Sequence, residues 1–343
     1  MRTHWRLMPL IAAAAAMPLV CAASVSATPA DDPLPAPTDS ATPSPVPTTS
    51  PTLSPTPSPT SPGPTATPTP TPTDTAPAPS GPVRILVSRG NYAPDPADTV
   101  RTFSPSGPGP YPAVLFIHGG AWGRSSPNIY EFRFAHRLAR SHHWVVAVIG
   151  YPTKIPRERT VEPHAVRTAI EHLADRSDVD PAHIALWGES SGGQLALLAA
   201  YRDALSSHRL VSAVVSISGP TNMRIEFSSL AETALGAVLR FEGLSPRAAA
   251  ARGSARYRLT SPVSLVRSRD PATFQAISLH DPLVPPVQVA DLTRRLAGDG
   301  VPHETVHVRG SGHSTTIEAQ RPIGYHRTVE QLAEAFVAGV FKS

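Results

Sequence analysis

Residues 188–192 read Gly-Glu-Ser-Ser-Gly, between a greasy run, "HIALW" (183–187), and "QLALLAAYRDAL" (194–205). The first run has the make-up of a strand and the second that of a helix. A strand that turns sharply into a helix exposes its central residue at the end of a sheet, in a strained conformation. Side chains two positions before and after would collide there, so glycine is wanted at both. Ser190 has Gly188 and Gly192 at those offsets, whereas a frame centred on Ser191 has Gly193 behind it but Glu189 in front. Ser190 is thus the candidate nucleophile. Ser191 enters through its backbone N–H, at a helix start where donors lack partners.

A serine hydroxyl is a weak nucleophile until a base takes its proton. The usual base is a histidine held in one tautomer by a carboxylate. With a strand–turn–helix nucleophile, the acid and then the histidine follow in chain order, each after a later strand. Asp281 follows the strand-like "TFQAIS" (273–278), in a loop stiffened by prolines; His313 follows "ETVHV" (304–308), in the small-residue loop "RGSGHSTT". Among the rivals, His280 adjoins Asp281 and points elsewhere, while His303 and His307 belong to the preceding strand. Asp270 precedes its strand and Asp291 lies in a helix. The remaining histidines read as solvated or packed, and no spacing among them makes a metal site.

Attack on a carbonyl carbon leaves negative charge on its oxygen, which needs preorganised donors. In "AVLFIHGGAWG" (113–123) the glycines after the strand let backbone approach a ligand. The N–H groups of Gly120, Ala121 and Ser191 are the candidate oxyanion hole. His118 reads as shaping this loop by hydrogen bonding, and Trp122 either walls a pocket or packs.

These residues need an α/β frame to bring them together. Seven short apolar runs read as strands (83–88, 113–117, 144–149, 183–187, 210–218, 273–278 and 304–308). Most are continuously hydrophobic, as in parallel strands covered on both faces. Helix-like segments of 10–15 residues alternate with them, which implies a mostly parallel sheet flanked by helices. Ligands bind such sheets at the carboxyl ends of the strands. The stretch 220–262 breaks the alternation and reads as a small cap or insertion.

The chain resembles the α/β-hydrolase esterases and lipases with an HGG-W oxyanion loop, including bacterial feruloyl and acetyl xylan esterase-like enzymes. The matching stretches are "FIHGGAW" (116–122), "VVAVIGY" (145–151), "DPAHIALWGESSGG" (180–193), "SPVSLV" (261–266), "DPLVPP" (281–286) and "GSGHS" (310–314). The resemblance spans about 83–343 and implies an α/β-hydrolase fold, ester hydrolysis through Ser190, His313 and Asp281, and no cofactor or metal. Three positions depart from the family pattern. Ile277 and Ser278 stand where a His-Gly pair is usual, Ala121 where a third glycine is frequent, and Pro152 where arginine commonly follows the tyrosine. A prolyl-oligopeptidase-like peptidase or amidase keeps the same three residues but cleaves another bond. A non-catalytic surface protein that reuses the fold for binding is the alternative of a different class.

The rest of the chain bears on location. Of its 41 prolines, 19 fall between Thr28 and Pro82, among Thr, Ser and Ala. Such a segment buries too little apolar surface to offset its ordering entropy and favours extended polyproline II, so 28–82 is expected to be a disordered linker. Residues 1–27 carry Arg2 and Arg6, an apolar run and a small-residue end at Val25-Ser26-Ala27. They read as a secretory signal peptide; the alternative is an uncleaved membrane anchor. Cys21, the single cysteine, lies in this leader, so the mature domain, 83–343, has no disulfide to rely on. The expected setting is secreted or cell-surface, with cell-wall or membrane association through the N-terminal segment. The net charge of +4 comes from scattered arginines. No nucleic-acid partner is expected, and the expected substrate is a small-molecule or polysaccharide-linked ester.

Overall fold

The computed structural model describes residues 83–153, 161–224 and 255–343. The segments expected to be a leader (1–27) and a linker (28–82) lie outside the described residues, as does most of the 220–262 stretch expected to be a cap or insertion. Eight strands form one sheet: β1 (Ile85–Asn91), β2 (Thr99–Pro105), β3 (Tyr111–Ile117), β4 (Val145–Ile149), β5 (Val179–Glu189), β6 (Val211–Ile217), β7 (Ala272–Ser278) and β8 (His303–Val308). Their order is β1-β2-β4-β3-β5-β6-β7-β8. The β1–β2 and β2–β4 pairs are antiparallel, and every pair from β4 to β8 is parallel.

The seven strands expected from sequence are all present, and β2 is an eighth. Its sequence, TVRTFSP, interleaves Arg and Thr with Val and Phe, so it shows no continuous apolar run. It becomes a strand by pairing with β1 and β4, which supplies the hydrogen-bonded neighbours that its composition does not announce.

The helices are α1 (Ile129–His142), α2 (Val161–Ala174), α3 (Ser191–Asp203), α4 (Ala255–Thr260), α5 (Pro286–Gly298), α6 (Thr315–Glu318) and α7 (Val329–Val340). α1 begins at a capping box: Asn128 accepts from the N–H groups of Tyr130 and Glu131, and Glu131 reaches back to the Asn128 N–H. α7 begins the same way, with Thr328 and Gln331. Of the 220–262 stretch, α4 and a 3-10 turn (Pro262–Ser264) are described at its end.

Alternation along the strands divides the core between two faces. Leu115 and Ile117 of β3 pack with Val166, Ile170, Leu195 and Leu292, on the side of α2, α3 and α5. Val114 and Phe116 pack with Phe134, Leu138, Leu332 and Val337, on the side of α1 and α7. The strands are apolar on both sides because both sides are covered.

Candidate active site

Ser190 lies between the end of β5 and the start of α3, at φ 51°, ψ −124°. A non-glycine residue at positive φ is uncommon and carries strain that the surroundings must hold. Here the Ser190 N–H donates to the Ile217 carbonyl at 2.9 Å and the Gln194 N–H donates to the Ser190 carbonyl at 3.2 Å. The flanking glycines are needed for close approach. A Cβ on Gly192 would overlap the carbonyl of Ile117 and one on Gly188 would overlap the Gly192 carbonyl.

The structure brings Ser190, His313 and Asp281 together from three loops. His313 Nε2 lies 2.8 Å from the Ser190 hydroxyl oxygen. Its Nδ1 lies 3.0 and 2.9 Å from the two carboxylate oxygens of Asp281. The imidazole tautomer that satisfies both contacts carries its proton on Nδ1, donating to Asp281, and accepts from Ser190 at Nε2. Asp281 is buried, and its Oδ1 also accepts from the N–H groups of Leu283 and Val284, each at 2.9 Å. The carboxylate is thus fixed by backbone as well as by the ring.

The histidine loop is anchored at several points. The His313 N–H donates to the Thr316 hydroxyl at 2.8 Å, and that hydroxyl donates to the His313 carbonyl at 2.9 Å. The Ser314 N–H donates to the Ser218 hydroxyl at 3.0 Å, and the Ser314 hydroxyl donates to Glu189 at 2.8 Å. Ser278, where the family pattern has glycine, donates through its hydroxyl to the Gly310 carbonyl at the start of the same loop. Ser190, Ser218 and Ser314 are all at positive φ, near 50–56°.

A buried acid pair lies directly behind this arrangement. Glu189 and Glu318 are both buried close to one another, and both carboxyls are raised above the ordinary carboxylate range. Burial is the largest cause of the rise in both, and the negative charge of Glu318 adds to it at Glu189. Glu318 is pushed up to about 7. The Tyr130 hydroxyl donates to Glu318 at 2.7 Å. Sequence reasoning missed Glu189, Ser314 and Glu318. The one signal was a carboxylate inside the glycine-flanked turn, directly before Ser190.

The 118–123 loop runs against the Ser190 turn. A Cβ on Gly119 would come within 2.9 Å of the Glu189 carbonyl and 3.1 Å of the Ser190 Cβ. Gly120, Ala121 and Trp122 are all at positive φ, so Ala121 adopts the conformation that a third glycine would take more easily. Ser191 is the first residue of α3, where the N–H has no partner within the helix. His118 is buried, its Nδ1 2.7 Å from the Gly119 carbonyl, its ring stacked on Tyr151 at 4.4 Å. Burial lowers it to about 4, so the ring is neutral at pH 7. The Tyr151 hydroxyl donates to the His118 carbonyl at 2.8 Å. Trp122 packs into the core and donates to Gln194 at 2.8 Å.

The sheet order, the turn after β5 and the loops after β7 and β8 define an α/β-hydrolase fold. The family described as BD-FAE matches residues 103–296, and the chain belongs to that family. A search of curated proteins returned no match. Among solved structures, a truncated carbohydrate esterase from gut microbiota is 21% identical, with a TM-score of 0.55, covering 66% of this chain and 88% of that one. Carboxyl esterase 2 of the mycorrhizal fungus Tuber melanosporum is 18% identical, with a TM-score of 0.60, covering 77% and 89%. An acetyl ester-xyloside bifunctional hydrolase from Caldicellulosiruptor lactoaceticus is 19% identical, with a TM-score of 0.55, covering 72% and 91%.

Proposed function

We propose that the chain is a serine hydrolase of carboxylic esters, working outside the cytoplasm on a small-molecule or polysaccharide-linked ester. One observation carries the reading: His313 contacts the Ser190 hydroxyl with Nε2 while both oxygens of Asp281 hold its Nδ1. Ser190 Oγ attacks the ester carbonyl carbon and its proton passes to His313 Nε2. The N–H groups of Gly120, Ala121 and Ser191 stabilise the oxyanion. The C–O bond to the alcohol breaks, and His313 returns the proton to the leaving oxygen. Water then attacks the acyl-enzyme, giving its proton to His313, and the acid leaves as Ser190 is restored. Asp281 orients the ring throughout and stabilises its protonated form. The chemistry needs no cofactor. The ester classes named for the structural neighbours support this choice of bond, and the leader and proline-rich segment support export.

The test pairs p-nitrophenyl esters, from acetyl to palmitoyl, with dipeptidyl amides, beside fluorophosphonate labelling of the purified chain. Ester turnover with label on Ser190 is expected. Amide cleavage that outruns ester cleavage would make it a peptidase or amidase, and neither labelling nor turnover would make it a binding protein.

A further inference from the structure

The β1–β2 ribbon carries a cationic groove that the proposed chemistry does not use. Its register sets Arg89 directly opposite Arg101, and Val87 opposite Phe103. α1 lies over the same face and adds Phe132 and Arg133. The Arg101 guanidinium lies 3.7 Å from the centre of the Phe132 ring, which holds it in place. Two adjoining hollows, of about 440 and 420 Å³, share Arg89, Arg101 and Phe132 as walls, and Arg133 and His136 line the second. Among the described residues no carboxylate lines either hollow, and Arg89, Arg101 and Arg133 form no ion pair. Like charges facing across an antiparallel pair oppose folding. Burial, and then the charge of Arg89, lower the pKa of Arg101. A bound anion would remove that penalty.

The groove also has a place in the fold. β2 runs antiparallel to β4, with Val100 opposite Ile149, so its first residues lie at the carboxyl edge of the parallel strands. That is the edge where Ser190 sits. β2 and β1 are three and four strands away from β5 in the sheet order, on the order of 15–20 Å at ordinary strand spacing. Ser126 and Pro127, which follow the 118–123 loop, line the nearer hollow. Concave hollows with separate guanidinium groups suit a chain bearing charges on successive units better than a flat membrane.

We propose that the groove formed by Arg89, Arg101 and Arg133 is an accessory site for a carboxylate-bearing polysaccharide, a uronate-containing chain held there while an ester on it reaches Ser190. The binding half stands on the groove alone, whereas the delivery of an ester rests on the ester-hydrolase reading.

The experiment is titration calorimetry of the full chain carrying Ser190→Ala, with oligogalacturonate, neutral xylo-oligosaccharide and vesicles containing phosphatidylglycerol. Oligogalacturonate should bind, more weakly as sodium chloride is raised, and neutral oligosaccharide should not. Replacing all three arginines by glutamine should weaken binding roughly tenfold or more. In the Ser190 background the same triple variant should keep p-nitrophenyl acetate turnover. Arg133 and Arg89 are exposed, so their single glutamine variants decide the matter if the triple variant does not fold. No binding of oligogalacturonate, equal binding of the neutral sugar, preference for the vesicles, or binding indifferent to the arginines would each overturn the site. Absence of ester turnover with binding intact would sink the hydrolase reading and leave the groove standing.

Discussion

Replacing Ser190 by alanine removes the oxygen that His313 contacts and leaves the ring's bond to Asp281 in place. Ser190→Ala should lower kcat by on the order of 10⁶, if the three groups act as a unit as they do in serine proteases. Asp281→Asn keeps the shape but presents an amide where Nδ1–H needs an acceptor, and should cost roughly 10⁴ in kcat. Steady-state kinetics on p-nitrophenyl acetate checks both, and near-normal turnover by either variant would defeat the assignment. These side chains were legible in the sequence because local rules fix each: glycines around Ser190, and short loops after strands for Asp281 and His313. Ser314 and Glu189 were not. Their bond joins residues 125 apart, and only the assembled sheet brings them within reach.

At the scale of elements, the turn after β5 and the helix after the His313 loop are coupled through Glu189 and Glu318. The groups that face the pair are Tyr130 and Glu131 from α1, Trp187 from β5, Ser314 from the loop and Glu330 from α7. Both carboxyls sit above their usual range, so between the ordinary carboxylate value and about 7 the folded chain holds more protons than the unfolded one. The stability that the protonated pair contributes is therefore full below about pH 4.5 and lost as pH rises through about 7. Glu318→Gln should flatten that fall, as read from urea midpoints across pH 4–8; an unchanged slope would show that Glu318 is not raised in the folded chain. The turn itself tolerates no added atom at its second glycine. Gly192→Ala would press a methyl group into the backbone of Ile117 and His118, costing about 1–3 kcal/mol, seen as a lower melting temperature. The strands that build this edge were readable wherever both faces are buried. β2 was not, because it has no continuous apolar run and its strand state comes from pairing with β1 just before it and with β4 about 40 residues on.

For the molecule as a whole, the fold class followed from the alternation of apolar runs with amphipathic segments, and the chain's membership of the BD-FAE family agrees with it. What the alternation could not tell was how the last helix closes the structure. α7 covers the second face of the core with Val329, Leu332, Ala333 and Val337. It also meets α1 through charge: Arg137 pairs with Glu330 and Glu334, and His142 lies 2.8 Å from Glu334. The pairs are partly exposed and add little, so the apolar contacts dominate. Leu332→Ala should destabilise the chain by roughly 2–5 kcal/mol, whereas Arg137→Ala should cost less than about 1 kcal/mol. Chemical denaturation of the two variants compares them directly, and the reverse ranking would show that charge holds the helix.

The bond from Ser314 to Glu189 joins the immediate neighbours of His313 and Ser190. Ser190 and His313 are therefore moored to each other through their neighbours and cannot wander independently as the temperature climbs. Warming should extinguish turnover and melt the chain in a single event, with no folded but silent species between. Residual activity and heat absorption, followed in one ramp, should trace the same curve.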